Sequence, residues 1–250
     1  MSRVPTESDR IAATRRPEAS PVMYQEWSDL LFLHWEISPD KIAATLPEGL
    51  HVDTHEGNAY LGLVPFFMKA IRPRFLPAVG PISNFLEMNV RTYVHDDSGR
   101  PGVWFYSLDA SQPLAVFLAR KMFHLPYFHA SMEATKVEGS THYQCHRNGT
   151  PDDEMSRFVY RGGEKLSPPL PGSLEYFLLE RYYLFAHRKV GNRLFCGQVH
   201  HTPYPAEIAG VTRSVSPALE QAGFPLDTEA PDLLHYSPGV KVSVYPITPV

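Results

Sequence analysis

The chain has 250 residues, two cysteines and a formal charge of −4 at pH 7. That balance supplies no positive footprint for nucleic acid or an anionic membrane, and no apolar run reaches the roughly 18–20 residues needed to cross a bilayer. Cys145 and Cys196 lie far apart with no metal or redox spacing, so a reduced cytoplasmic setting is expected for a chain long enough to bury a core without staples.

Residues 1–22 are polar and hold four arginines without an apolar signal core, while Glu7, Asp9 and Glu18 argue against a transit peptide. A disordered tail is expected there, ahead of one domain over residues 23–250. Leu30–Ile37 reads as a strand, and Ser38-Pro39 starts a short helix to Leu46 that Pro47 and Gly49 stop. His51–Thr54 and Ala59–Ile71 read as a hairpin across Glu56-Gly57-Asn58. Phe85–His95 and Val103–Leu108 read as another, across Asp96-Asp97-Ser98-Gly99. Pro113 opens a helix that ends before Pro126. Strands follow at Phe128–Val137, Thr141–Arg147 and Ser156–Tyr160. Asn148-Gly149-Thr150 fits a glycosylation pattern but reads better as a hairpin turn. Ser173 caps what reads as the longest helix, running to about His187 with Arg188 and Lys189 at its negative end. Leu194–His200 and Lys241–Ile247 complete the elements. Many short antiparallel strands, few helices and no βαβ alternation point to a barrel or sandwich with helical additions.

Three places put charge where the surrounding pattern is apolar. In the helix from Ser173, Arg181 falls within a stripe of Leu174, Phe177, Leu178, Tyr182 and Phe185. After Pro113, Arg120 has Val116, Phe117, Phe123 and His124 three and four positions away. In the strand from Phe85, one face carries Leu86, Met88, Val90 and Val94, and the other carries Glu87, Asn89, Arg91 and Tyr93. That second face is either a solvated sheet surface or the wall of a polar cavity. The two arginines either close buried salt bridges or grip a carboxylate ligand, with Glu87 handling protons.

Other constellations are weaker. His142 and His146 flank Cys145, and His200 adjoins His201, but residues four apart on a strand stand roughly 13 Å apart, too far to chelate one ion unaided. No metal site is therefore expected. His124 and His129 bracket Tyr127 and either tune or relay a proton or, as is more usual, are satisfied structural histidines. There is no glycine-rich phosphate loop and no nucleophile elbow, so no cofactor and no hydrolase triad is expected.

From about Trp27 to Ile247 a series of phrases resembles the YqjF-like family, an uncharacterised group (domain of unknown function 2071). They are His34-Trp35, Leu46-Pro-Glu-Gly-Leu50, Val64-Pro-Phe66, Glu87-Met-Asn-Val-Arg-Thr-Tyr93, Pro101-Gly-Val-Trp-Phe105, Ala119-Arg120 with Leu125-Pro-Tyr127, Pro171-Gly-Ser-Leu-Glu175, Glu180-Arg-Tyr182 and His200-His201. More distantly, Glu87, Arg120 and Pro126 resemble the acetoacetate decarboxylase superfamily. There a segment of Arg-Glu, a few apolar residues and Pro-Lys-Lys supplies a Schiff-base lysine whose lysine neighbour depresses its pKa. In Arg120-Lys-Met-Phe-His-Leu-Pro-Tyr-Phe-His-Ala130, Tyr127 and Phe128 stand at the lysine positions, and none of the chain's seven lysines is adjacent to another.

The resemblance implies a mainly β fold: a closed antiparallel β-barrel of the acetoacetate decarboxylase-like type with a few added helices, α+β on a looser definition. It implies an internal cavity with Glu87, Arg120 and Tyr127 as catalytic candidates and Arg91, His124, Arg181 and His201 as ligand-binding candidates. Tyr127 is expected to project toward Glu87, and Arg181 to be buried against a carboxylate, Glu87 or Glu180. The function implied is recognition of a small acidic or carbonyl metabolite, with acid–base chemistry of a lyase-like kind and no imine. The alternative is a non-catalytic sensor or scaffold that kept the fold. A small-molecule ligand is the expected partner, without nucleic acid or membrane; assembly into a homo-oligomer stays open.

Overall fold

A computed structural model describes residues 2–225 and 230–250. In chain order the elements are α1 (Glu7–Ala13), β1 (Met23–Ile37), α2 (Pro39–Ala43), β2 (Leu50–Val52), β3 (Ala59–Pro73), β4 (Phe85–Asp96), β5 (Pro101–Ala110), α3 (Pro113–Phe123), β6 (Tyr127–Val137), β7 (Ser140–Arg147), β8 (Met155–Lys165), α4 (Leu174–Leu179), β9 (Tyr183–Arg188), β10 (Arg193–His200), β11 (Glu207–Val215), α5 (Ala218–Gln221), β12 (Leu233–Val244) and β13 (Thr248–Pro249). Among the described residues no helix is long and apolar enough to cross a membrane.

All thirteen strands belong to one sheet. Neighbours run β5-β6-β7-β8-β11-β12-β1-β3-β4, β4 pairs β5 in turn, and a second course runs β5-β9-β10-β12. Both courses close through β12, β1, β3, β4 and β5, so each face of β1, β3 and β4 meets a different core. Leu31, Leu33, Trp35, Leu61, Leu63, Met88 and Val90 pack with Tyr143, Phe158 and Tyr160. Leu30, Phe32, Val64, Phe66 and Met68 pack with Val199, Tyr204, Val240 and Val242. Burial on both faces explains why Leu30–Leu33 and Tyr60–Met68 read as nearly unbroken apolar runs rather than alternations.

The β4–β5 hairpin and the helix after Pro113 form where their turn and proline signals put them. Other expectations are corrected. The sheet is not purely antiparallel: β5 pairs in parallel with both β6 and β9, and β5-α3-β6 is a βαβ unit, the connection parallel neighbours require. The hairpin expected of His51–Thr54 and Ala59–Ile71 is absent, because β2 pairs β4 (Leu50↔Asp96) and His55 makes only an isolated bridge to Asn58. The long helix from Ser173 stops at Leu179: Glu180 leaves helical geometry at φ −88° and ψ 76°, and Tyr183–Arg188 becomes β9 between β5 and β10. Arg188 therefore ends a strand and Lys189 follows it. A short apolar aromatic run fits either period, and backbone pairing on both edges decides for strand.

The expected disordered tail is also corrected. Thr6 and Asp9 form a capping box at α1. Arg10 makes two 2.6 Å hydrogen bonds to buried Asp53, and the Arg3 amide donates to the Asp97 carbonyl at 3.1 Å. Composition counts these arginines as solubilising charge; the fold gives them partners far along the chain.

Candidate functional site

Along β4, Glu87, Asn89, Arg91 and Tyr93 share one face by strand alternation. That face is buried, with residue exposures of 3%, 5%, 9% and 0%, which excludes the solvated alternative.

At one end stands Glu87. The helix α3 finishes at His124 in a left-handed conformation (φ 55°), and the chain turns through Pro126 into β6, where Tyr127 pairs Leu108. From there the Tyr127 hydroxyl donates to Glu87 Oε2 at 2.8 Å. The Tyr143 hydroxyl holds the same strand by donating to the Glu87 carbonyl at 2.8 Å. Burial pushes the Glu87 carboxyl up to about 8, opposed by the Tyr127 hydrogen bond and assisted by Asp109. Burial and the Glu87 carboxyl together push the Tyr127 phenol well above its ordinary value. At neutral pH Glu87 thus keeps its proton beside a neutral phenol, an arrangement that can donate a proton to a carbonyl oxygen and take it back.

At the other end stands Arg91. Gly62 of β3 lies opposite it and also opposite His34 of β1. A Cβ on Gly62 would meet Arg91 Cγ at 3.3 Å and His34 Cδ2 at 3.4 Å, so the glycine gives the arginine its path across the sheet. The guanidinium lies 5.5 Å over Phe32. Its Nη2 donates at 3.4 Å to the Tyr93 hydroxyl and to the Leu178 carbonyl. Its Nε has no partner, and it forms no ion pair among the described residues. The Tyr93 hydroxyl donates to the Leu178 carbonyl at 2.9 Å, so His34 Nε2–H donates to Tyr93 at 2.7 Å and Nδ1 is left with an unpaired lone pair. Burial, then the charge of Arg91, holds the His34 imidazole well below its ordinary range and hence neutral. Between the two ends, Asn89 Oδ1 is buried without a partner among the described residues.

Residues 24–241 match the family model described as an uncharacterized conserved protein, domain of unknown function 2071. The chain belongs to that family. It is 36% identical over 236 residues to the uncharacterized protein YqjF of Bacillus subtilis (strain 168), covering 92% of this chain and 93% of that one. Among solved structures it is similar to acetoacetate decarboxylase from Legionella pneumophila subsp. pneumophila str. Philadelphia 1, with a TM-score of 0.62 at 13% identity over 100% of this chain and 97% of that one. It is also similar to the enduracididine biosynthesis enzyme MppR complexed with pyruvate, with a TM-score of 0.59 at 12% identity over 94% and 93%. At such identities the likeness is one of fold: mainly β and acetoacetate decarboxylase-like.

Of the expected site residues in this family member, Glu87 and Tyr127 meet, and Arg91 shares their face. Arg120 does not join them. It is exposed on α3, 5.9 Å from the Phe128 ring. Its apolar neighbours misled because α3 buries Val116 but leaves Leu114, Phe117, Leu118 and Met122 exposed. His124 caps α3 and tilts against Phe195, with ring centroids 5.1 Å apart. Arg181 is buried against a carboxylate, but the carboxylate is Asp53 (2.6 Å), neither Glu87 nor Glu180. Asp53 also takes Arg10, and these two guanidinium groups hold its carboxyl below the usual carboxylate range against the effect of burial. Glu180 instead accepts from the Tyr182 hydroxyl and from the Tyr204 amide at 3.0 Å. His201 donates from Nδ1 to the Thr202 carbonyl at 2.7 Å and stacks 4.5 Å from Tyr182; burial lowers its pKa to about 4. With Glu180, Tyr182 and His200 it lines a cleft of about 330 Å³. Asn89 and Tyr93 were visible in the β4 alternation, whereas His34 and Gly62 gained meaning only from cross-strand pairing, and Asp53 carried no local signal.

Proposed function

We propose that the buried face of β4 binds a small acidic or carbonyl metabolite. Arg91 neutralises its carboxylate, and the Glu87–Tyr127 pair exchanges a proton with its carbonyl without an imine. The observation that carries this reading is Arg91, a permanently charged group at 9% exposure with an unpartnered Nε and no ion pair among the described residues. An uncompensated buried charge costs several kcal/mol, and a charge-assisted bond to a ligand carboxylate offsets that cost. The second circuit of strand pairings, β5-β9-β10-β12-β1-β3-β4 and back to β5, lies on the polar face of β4 and supports reading this architecture as a barrel that encloses the ligand. The similar fold of MppR, solved with the small oxo acid pyruvate, supports the ligand class by analogy. Two buried free thiols, Cys145 and Cys196, fit a reducing compartment such as the cytoplasm.

The test is thermal unfolding against a panel of small carboxylates and matched neutral carbonyls. A ligand at 100 times its Kd stabilises by about 2.7 kcal/mol, a rise of about 5–10 °C for a chain of this size. The rise should occur with carboxylates and vanish in Arg91→Met. A panel that moves neither protein refutes the reading. Recovery of the bound acid unchanged after long incubation would make the site a sensor or binding module rather than an enzyme.

A further inference from the structure

The spacing along β4 limits what can occupy both of its polar ends. Glu87 and Arg91 are four residues apart on an extended strand, which separates their α-carbons by about 13 Å. The side chains do not close that gap, because the Arg91 guanidinium leans away from Glu87, onto the Tyr93 hydroxyl and the Leu178 carbonyl. A three-carbon oxo acid carries its carboxylate and carbonyl on adjacent carbons and cannot touch both ends. Taking that α-carbon separation as the distance between the ends, with one hydrogen bond of about 2.9 Å at each, at least about 7 Å remains for the ligand, the span of about six bonds of extended chain.

The residues flanking the row match such a chain. Asn89 lies between Val64 of β3 and Leu108 of β5, which are 1% and 2% exposed and offer methylene-compatible walls. Glu87 lies between Ala110 and Phe66, and Arg91 between Gly62 and Phe105, so each polar end has a small residue on one side and an aromatic wall on the other. Midway along the row, Asn89 Oδ1 is a buried acceptor without a partner among the described residues.

We infer that the ligand of this face is an elongated oxo acid, with its carboxylate at Arg91, its carbonyl oxygen at Glu87 and about six bonds of mainly apolar chain between them. A hydroxyl or amine placed midway would donate to Asn89. The inference rests on the reading of the face given above and adds a length and a polarity pattern to it. It also sets this site apart from one built for an oxo acid whose carboxylate adjoins its carbonyl.

Isothermal titration of the full chain with pyruvate, 4-oxopentanoate, 7-oxooctanoate and octanoate tests it. The expected order has 7-oxooctanoate binding at least tenfold more tightly than pyruvate, with 4-oxopentanoate between them. Octanoate should bind at least threefold more weakly than 7-oxooctanoate, and Glu87→Met should erase that last difference while sparing octanoate. The wild-type series stands alone if the variant fails to fold. Pyruvate binding as tightly as 7-oxooctanoate, with both lost in Arg91→Met, overturns the length inference and leaves the proposed acid site intact. Failure of every acid to bind overturns both.

Discussion

Replacing Glu87 with glutamine removes a titration while nearly preserving shape, since glutamine retains an oxygen that can accept from Tyr127. In the folded chain the Glu87 carboxyl is raised from 4.5 to about 8, mainly by burial. Between those values the unfolded chain has released a proton that the folded chain still holds. The stability contributed is therefore fully present below pH 4.5 and is lost as pH rises, by about 1.4 kcal/mol per unit, until the folded group ionises near pH 8. From pH 5 to pH 8 this comes to on the order of 4 kcal/mol, opposite in sign to the behaviour of a salt-bridged carboxylate. The Glu87→Gln chain lacks this component, so its melting temperature relative to wild type should climb across that range by on the order of 10 °C. Thermal unfolding of both proteins in a matched buffer series gives the answer. Parallel curves would refute the assignment of a neutral buried carboxyl. A difference that shrinks toward alkaline pH would mean Glu87 is already ionised in the fold.

Three further outcomes follow from the same geometry. In Tyr127→Phe, loss of the hydrogen bond that favours the charged carboxylate should raise the Glu87 pKa further and extend the falling limb of the stability curve to higher pH; an unmoved limb would exclude the 2.8 Å contact as a determinant. Asp53→Asn should cost about 3–5 kcal/mol in urea unfolding, because it leaves Arg181 buried and uncompensated, and adding Arg181→Met should recover part of the loss; strictly additive losses would contradict the pair. Borohydride in the presence of acetoacetate should trap no stoichiometric adduct, since a phenol occupies position 127; mass spectrometry locating a reduced adduct on a lysine would reverse this.

Read alone, the sequence determined those features whose cause is local or nearly so. Alternation from Phe85 defined the polar face of β4, and Asp96–Gly99 turned it into β5. Pro113 and Pro126 bounded the segment that ends with Tyr127, and family resemblance placed that tyrosine against Glu87, where the structure has it at 2.8 Å. Burial of Arg181 beside a carboxylate is expected from a helical stripe and is found, although the helix ends at Leu179 and the stripe does not continue through the arginine. That stripe could not name Asp53, which lies 128 residues away and has no periodic relation to the arginine.

Only tertiary structure decided the rest, because each outcome depended on which surfaces met. Arg120 has apolar neighbours and one of them, Val116, is buried, yet Arg120 itself lies on the outward side of α3 with Phe117, so a locally apolar setting did not become a buried one. Tyr183–Arg188 is compatible with helix or strand, and the open edges of β5 and β10 chose strand. The arginines of the N-terminal segment resemble those of any soluble tail until Asp53 comes within reach of Arg10 and the Ser98 carbonyl within reach of Arg3. Arg91 is the sharpest case: alternation puts it on a face, but its lack of a carboxylate partner among the described residues emerges only when every strand around it is in place. A charge's solvation is set by all the atoms enclosing it, and most of those arrive from far along the chain.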